Sequence, residues 1–377
     1  MLMEHAAYDT QGVGQAETDG LILEERHQVA VLGGGGWGTA LAKLLASNGH
    51  DVLLWVYEPE VVKAINEEHV NPLYLKGVCL PDNLRASNDI ADVLRGRDLV
   101  VNAGVSQHLR SVMRQAKPHL GSAAVVISAT KGIEPETYLR MTEVVAQELG
   151  IGPERIAALS GPNHAEEVSR GVPSTTVVAA TRRELAERFQ DLFMSRSFRV
   201  YTNPDVVGVE LCGALKNIIA LGAGICDGLG FGDNTKAALM TRGLTEMARL
   251  GVAMGADAST FAGLAGVGDL IATCTSQHSR NRWCGNELGK GRRLDEILAS
   301  TKMVVEGVRT TVAAHALGRK LGVSLPITDA IYGVLYEDKS ARESTQALMG
   351  RLKTHEIEDL AISRWFSDET PDARHQR

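Results

Sequence analysis

Residues 28–56 read QVAVLGGGGWGTALAKLLASNGHDVLLWV, and this stretch decides the fold. Gln28-Val29-Ala30-Val31-Leu32 is a short apolar run of strand type, and Gly33-Gly34-Gly35-Gly36-Trp37-Gly38 follows at once. From Thr39 to Ala46 the pattern predicts a helix, which Asn48-Gly49 should end. A second strand is expected over 51–56. Strand, G-x-G-x-x-G, helix, strand is the context that makes a weak motif a strong one. Gly33 permits the tight turn, Gly35 lets the backbone approach a pyrophosphate, and Gly38 allows close helix packing. The helix N-terminus then receives the negative charge. A P-loop does not fit, because no Lys-Ser or Lys-Thr follows Gly38. Tyr57 and Glu58 stand at the end of the second strand, about 20 residues past the last glycine, where an acidic group accepts from the ribose 2′-hydroxyl of NAD. An arginine there would accommodate the 2′-phosphate of NADP. Neither Tyr57 nor Glu58 is basic, which tilts the cofactor toward NAD.

Outward from this stretch, further strands are expected over 98–103, 123–128, 156–159, 175–180 and 198–201. Helical patterns lie between them over 109–116, 139–149 and 184–193. Alternating strands and helices imply a mostly parallel sheet covered on both faces. After Pro204 the strand signals stop, and helices are expected over 208–230, 236–254, 281–288, 312–321 and 328–336. The fold class is therefore a Rossmann-type α/β domain over 28–203 followed by an all-α domain over 204–352. Residues 1–27 read as a mobile extension and 353–377 as a frayed, charged tail.

Composition narrows the function classes. The chain has 377 residues, 44% apolar and 23% charged, which is ordinary for a soluble globular protein. A formal charge of −7 leaves no basic footprint for nucleic acid or acidic lipid. Its five cysteines form no C-x-x-C and no zinc-finger spacing, so no metal is expected and reduced thiols in the cytoplasm suit them best. The acidic N-terminus lacks the features of a signal peptide. The apolar run 218–226 is too short to span a bilayer.

Gly208 to Gly230 is small or apolar all round, the mark of a buried helix, yet Lys216 stands in its middle beside Asn217. Its stem could lie on apolar surface with the ammonium in water. Alternatively the ammonium sits in a dry pocket with a lowered pKa and exchanges protons near neutrality. Lys131, just after a strand in Ser128-Ala129-Thr130-Lys131-Gly132, is either a solvated charge or a ligand group. Gly161 and Asn163 belong to a second loop of that kind, in which His164 reads as structural. Asp269 is either a helix N-cap or a functional carboxylate in a small, apolar segment. The segment Thr273 to Asn281, rich in hydroxyls and carrying Arg280, has the ingredients of a phosphate site.

These pieces resemble one family, the bacterial-type NAD(P)-dependent glycerol-3-phosphate dehydrogenases. The matching segments are VLGGGGWGTALA, LSGPNHAEEV, SFRVYTNPDVVGVELCGALKNIIALGAGICDGLGFGDN, LAGVGDLIATCTSQHSRN, VVEGVRT and LPITDAIYGVLYE, in family order from about Val29 to Arg351. The resemblance implies reversible reduction of dihydroxyacetone phosphate to sn-glycerol 3-phosphate for phospholipid synthesis, with NAD or NADP, by a cytoplasmic homodimer. It implies that Lys216 exchanges the proton on the C2 oxygen, with Lys131 and Asp269 as its catalytic partners. The substrate would meet Lys131, Gly161, Asn163, Lys216, Asp269, Thr273, Ser279, Arg280 and Asn281. The cofactor would meet Gly33, Gly35, Gly36, Trp37, Gly38, Tyr57, Glu58, Lys131, Ala165, Arg280, Val304 and Glu306. The chain departs from the family pattern at Asn163-His164, at Gly104-Val105 and at Tyr57. Two other readings remain: a related two-domain dehydrogenase for another phosphorylated or hydroxy-acid substrate, of which a non-phosphorylated one would not require Ser279-Arg280-Asn281, and a non-catalytic nucleotide sensor, which would lack a catalytic lysine.

Overall fold

The computed structural model describes residues 26–301, 303–353 and 356. The predicted extension therefore lies outside the described residues but for residues 26 and 27, and the predicted tail but for residues 353 and 356. The strands are β1 (Gln28–Leu32), β2 (Asp51–Trp55), β3 (Val70–Asn71), β4 (Leu75–Cys79), β5 (Arg85–Ser87), β6 (Leu99–Asn102), β7 (Val125–Ser128), β8 (Ile156–Ser160), β9 (Ser174–Ala180) and β10 (Phe198–Asn203). Eight of them form one sheet in the order β10-β9-β8-β7-β6-β1-β2-β5, and β3 with β4 makes a separate hairpin. All neighbours in the large sheet are parallel except β8 and β9.

The strands of the sheet centre have continuous apolar runs because both faces are covered. Val29 and Val31 pack with Leu41 and Leu45 of the helix Gly36–Ser47 and with Phe189 of Arg183–Phe193. Ala30 and Leu32 point the other way, toward Leu109 and Met113 of Ser106–Ala116 and Val144 of Met141–Leu149. From β1 the chain passes to β2 on one side, whereas β6 lies on the other. This reversal of strand order opens a crevice beyond the carboxyl ends of β1 and β6, where such sheets bind ligands.

The predicted strands and helices are all present, with no end moved by more than six residues. The first helix starts at Gly36 instead of Thr39, because the last three residues of the glycine run already turn helically. The helix Pro59–Glu68, the β3–β4 hairpin and β5 were not anticipated. These strands are short or interrupted by glycine, so they carry too little period-2 pattern to be seen.

After β10, Asp205 caps the central helix Val206–Gly228, its side chain accepting from the Gly208 amide at 2.8 Å. This helix is 23 residues long and holds an 18-residue window with a mean hydropathy of 1.6, so by length and composition it could cross a membrane. The uninterrupted apolar run remains 218–226, because Glu210, Lys216 and Asn217 break the stretch before it. The surface of the helix is instead taken up by protein. The helices Asp233–Ala253, Asp269–Thr275, Arg280–Gly289, Glu306–Leu321 and Pro326–Tyr336 surround it, and Val177 and Ala179 of β9 join the same apolar cluster. Its glycines let backbones meet: a Cβ on Gly224 would lie 2.0 Å from the Arg282 carbonyl oxygen. Glu210 ties it to the sheet domain, accepting from the Thr142 amide at 2.8 Å and hydroxyl at 2.6 Å and pairing with Arg140.

Candidate active site

The glycine loop has the shape its motif requires. Gly33 adopts φ +123°, and a Cβ there would stand 2.7 Å from the Gly104 amide nitrogen at the end of β6. A Cβ on Gly38 would stand 1.8 Å from the Gly33 carbonyl oxygen, whereas one on Gly35 would meet nothing within 4 Å. The open side at Gly35 and the uncapped first turn of Gly36–Ser47, which has no acidic residue, fit an incoming pyrophosphate. Trp37, in that first turn, has a buried indole nitrogen with no partner among the described residues. Ala165 borders Gly36, its Cβ 3.8 Å from where a Gly36 side chain would begin. Asn71, unnoticed in the sequence, holds the loop by donating to the Gly34 carbonyl and to the Thr39 hydroxyl, each at 2.9 Å. Only the turn signal Asn71-Pro72 hinted at it.

At the end of β2, Tyr57 is 78% exposed. Glu58 precedes the helix Pro59–Glu68, and its Oε1 accepts from the Tyr74 hydroxyl at 2.6 Å. Burial, and then this bond to Glu58, push the Tyr74 phenol up to about 12, so it stays a donor. Tyr74 was not foreseen.

Beyond β7 and β8 the candidate catalytic groups meet. Thr130 pins its loop by donating to the Gly104 carbonyl at 2.8 Å, and it accepts from Asn102 at 2.9 Å. Lys131 then donates to Asp269 Oδ2 at 2.7 Å and to the Gly161 carbonyl at 3.2 Å. Lys216 comes from the central helix and donates to Asp269 Oδ1 and, at 2.6 Å, to the Thr273 hydroxyl. Asp269 and Thr273 are one turn apart on Asp269–Thr275 and so share a face. Asp269 is therefore the carboxylate between two ammonium groups, and Gly268 takes the N-cap position.

The electrostatics follow from burial. Lys216 is 5% exposed and Asp269 1%. Burial pushes the Lys216 ammonium down to about 7; Asp269 opposes this and the Lys131 charge adds to it. Burial alone would raise the Asp269 carboxyl, but the two lysines outweigh it and hold it below the usual carboxylate value. The stem-on-surface alternative for Lys216 does not apply. Its ammonium is inside and paired. Lys131, with a side chain 19% exposed, is the cation on the open edge of the network.

The remaining predicted residues divide. Asn163 donates to the Thr175 carbonyl at 2.7 Å, and its Oδ1 is buried without a partner among the described residues, as is the Ser160 hydroxyl. Such atoms at a crevice are ready for a polar ligand. His164 bonds to the Ala272 carbonyl at 3.4 Å. Ser279 caps the helix Arg280–Gly289, accepting from the Arg282 amide at 3.2 Å. Asn281 is held between Asn217 and the Gly307 amide, both at 2.9 Å. Of that trio only Arg280 extends an exposed side chain, which donates to the Val304 carbonyl at 3.1 Å. Glu306 accepts from Ser106, a residue the sequence reading did not single out. A separate cavity of about 240 Å³ borders Ser106 away from the lysine pair. Each of its three arginines faces a glutamate: Arg110 faces Glu134, Arg114 faces Glu148 and Arg309 faces Glu136.

A dinucleotide crevice beside a buried lysine–aspartate–lysine network defines a two-domain nicotinamide-dependent oxidoreductase. Family models described as NAD-dependent glycerol-3-phosphate dehydrogenase N-terminus and C-terminus match residues 28–186 and 205–346. The chain belongs to that family. It is 54% identical over 337 residues to the glycerol-3-phosphate dehydrogenase [NAD(P)+] of Pelotomaculum thermopropionicum, covering 89% of this chain and 97% of that one. The protein of the same name from Bacillus pumilus is 52% identical over 334 residues, covering 88% of this chain and 97% of that one. The crystal structure of the Coxiella burnetii glycerol-3-phosphate dehydrogenase superposes with a TM-score of 0.83 at 39% identity, covering 86% of this chain and 99% of that one. A ketopantoate reductase from Ralstonia eutropha, at 19% identity and a TM-score of 0.56, shares the fold alone.

Proposed function

We propose that the protein catalyses the reversible reduction of dihydroxyacetone phosphate to sn-glycerol 3-phosphate, with Lys216 exchanging the proton on the C2 oxygen. The observation that carries this reading is the buried Lys216 ammonium, near neutral in pKa, held by Asp269 and Thr273 beside the dinucleotide crevice. When bound, the nicotinamide supplies the hydride. Lys216 polarises the C2 carbonyl, hands its proton to the oxygen as charge develops there, and takes it back in the oxidation direction. Asp269 keeps the lysine aimed and charged enough to donate. Lys131 adds positive charge at the open edge, and Gly161 and Asn163 line the same mouth. Arg280 holds the remote phosphate and so fixes the substrate's orientation. Ser279 and Asn281 support Arg280 through the helix cap and the Asn217 contact. Val304 and Glu306 meet the cofactor from the helical side.

NAD is the favoured cofactor in this reading, because Glu58 offers a carboxylate to the ribose and Tyr57 adds no positive charge. The division between nucleotide and substrate domains falls at Asn203-Pro204. A homodimer in the cytoplasm is the working assembly. The test is oxidation of NADH and NADPH, followed by absorbance, with and without dihydroxyacetone phosphate. Oxidation that requires the phosphorylated ketone is expected, faster with NADH; equal or greater rates with NADPH would defeat the cofactor assignment. Lys216→Ala should lower kcat by at least about a thousandfold, since it removes both the proton donor and the charge opposite the alkoxide. Near-normal turnover would defeat the mechanism.

A further inference from the structure

A second polar contact joins the two parts of the chain at the crevice. Ser106 opens the helix Ser106–Ala116 directly after β6, and Glu306 opens the helix Glu306–Leu321. The Ser106 amide donates to Glu306 Oε1 at 3.1 Å and its hydroxyl to Oε2 at 2.5 Å. The helix Ser106–Ala116 has no side-chain cap and no acidic residue in its first turn, so Glu306 supplies that carboxylate from 200 residues away. The loop carrying Lys131 lies on this contact: a Cβ on Gly132 would stand 2.8 Å from the Ser106 Cβ and 3.9 Å from Glu306 Oε2. Arg280 reaches the same place through the Val304 carbonyl, two residues before Glu306. Ser106 therefore meets the Lys131 loop and the Glu306 carboxylate together, four residues after the end of β6.

We propose that Ser106 is a positioning residue for hydride transfer. By holding both oxygens of Glu306, it locks the helical part of the chain over the β6 side of the crevice and sets where the nicotinamide ring lies relative to Lys216. This rests on the reading that the crevice takes NAD(P) and that Glu306 meets it. A carboxylate held at two oxygens cannot rotate, so the group it presents to the cofactor keeps one position. Without the hydroxyl, this half-buried carboxylate loses its shorter bond and turns toward Arg280 or solvent.

The test uses the full chain with Ser106→Ala, Ser106→Thr, Glu306→Gln and the Ser106→Ala/Glu306→Gln pair. Steady-state kinetics give the KM of the reduced cofactor, the KM of dihydroxyacetone phosphate and kcat; NADH fluorescence gives cofactor Kd without substrate. Ser106→Ala should raise the cofactor KM and Kd about tenfold, the factor expected for one hydrogen bond to a charged group, and change the KM of the ketone by less than about twofold. Ser106→Thr, which keeps the hydroxyl, should restore both. The double variant should be no worse than the poorer single one, because the two residues act through one contact. Unchanged cofactor binding in Ser106→Ala, a threonine variant as impaired as the alanine one, or additive defects would overturn the proposal. If Ser106→Ala fails to fold, Glu306→Gln and Ser106→Thr carry the same comparison. Wild-type protein that binds neither NADH nor NADPH would overturn the underlying crevice reading as well, and that control separates the two failures.

Discussion

Asp269→Asn is the most informative perturbation, because it removes one charge and leaves the shape. The wild-type carboxylate is 1% exposed and accepts from both lysines. At an effective dielectric of about 20, opposite charges 2.7 Å apart interact by roughly 6 kcal/mol. Much of that is offset by desolvation, and breaking a buried pair costs about 3–5 kcal/mol in practice. Asp269 raises the Lys216 pKa, so its loss lowers that pKa further. If about 3–4 kcal/mol falls on protonated Lys216, the shift is roughly two to three units at about 1.4 kcal/mol per unit. The lysine then drops from about 7 to roughly 4–5. Near neutral pH only about one molecule in 100 to 1,000 keeps the proton needed for ketone reduction, so kcat/KM falls on the order of 100- to 1,000-fold. The assay is the pH profile of kcat/KM for ketone reduction. The wild-type limb should decline above about pH 7, and the variant limb should move down by at least about two units. Thermal unfolding and NADH binding report whether the variant is folded. Thr273→Val, which removes a hydrogen bond but no charge, should lose less. A folded Asp269→Asn enzyme within tenfold of wild type, with its limb still near 7, would refute the reasoning.

Gly38→Ala should weaken folding by about 1–3 kcal/mol and abolish cofactor binding, because its Cβ would lie 1.8 Å from the Gly33 carbonyl oxygen. Gly35→Ala meets open space, so it should melt close to wild type and still lose about tenfold or more in NADH affinity; equal losses of stability in the two would contradict the loop geometry. Glu246, 4% exposed, caps Pro326–Tyr336 from outside by accepting from the Ile327 and Thr328 amides, and burial foremost raises its carboxyl from 4.5 to about 7. A pKa raised on folding favours the protonated form, so this contribution is full below about 4.5 and is lost as pH rises through about 7. The size is roughly 3 kcal/mol. Denaturation of wild type and Glu246→Gln at about pH 5 and about pH 8 should show the wild type losing that amount relative to the variant, and parallel behaviour would sink the assignment.

Much of the fold was legible because its signals are local. The glycine run between two apolar strands sits in a single stretch of chain, and backbone sterics at Gly33 and Gly38 give those letters one geometry. The helical part was legible from the loss of strand runs after Pro204. The region 59–87 was not, since β5 has three residues and β4 carries Gly77, too little pattern to register. In the site, Lys216 stood out as a cation inside an apolar helix. Its partnership with Asp269, 53 residues away, and that of Asp269 with Lys131, 138 residues away, have no signature in spacing. Asn281 shows the same. Its segment suggests a ligand contact, and the fold adds what spacing does not show: one amide hydrogen goes to Asn217 and the amide oxygen accepts from Gly307.

The sequence by itself determined the dinucleotide crevice, the two-part architecture and the presence of a lysine inside an apolar helix. These depend on backbone geometry and apolar periodicity, which are properties of neighbouring residues. Only the tertiary structure decided that burial lowers the Lys216 ammonium pKa, that Asp269 serves two lysines, and that Ser106 holds Glu306. Each depends on burial and on charges brought within bonding distance from remote parts of the chain, and both arise only when the helices close around Val206–Gly228 against the sheet.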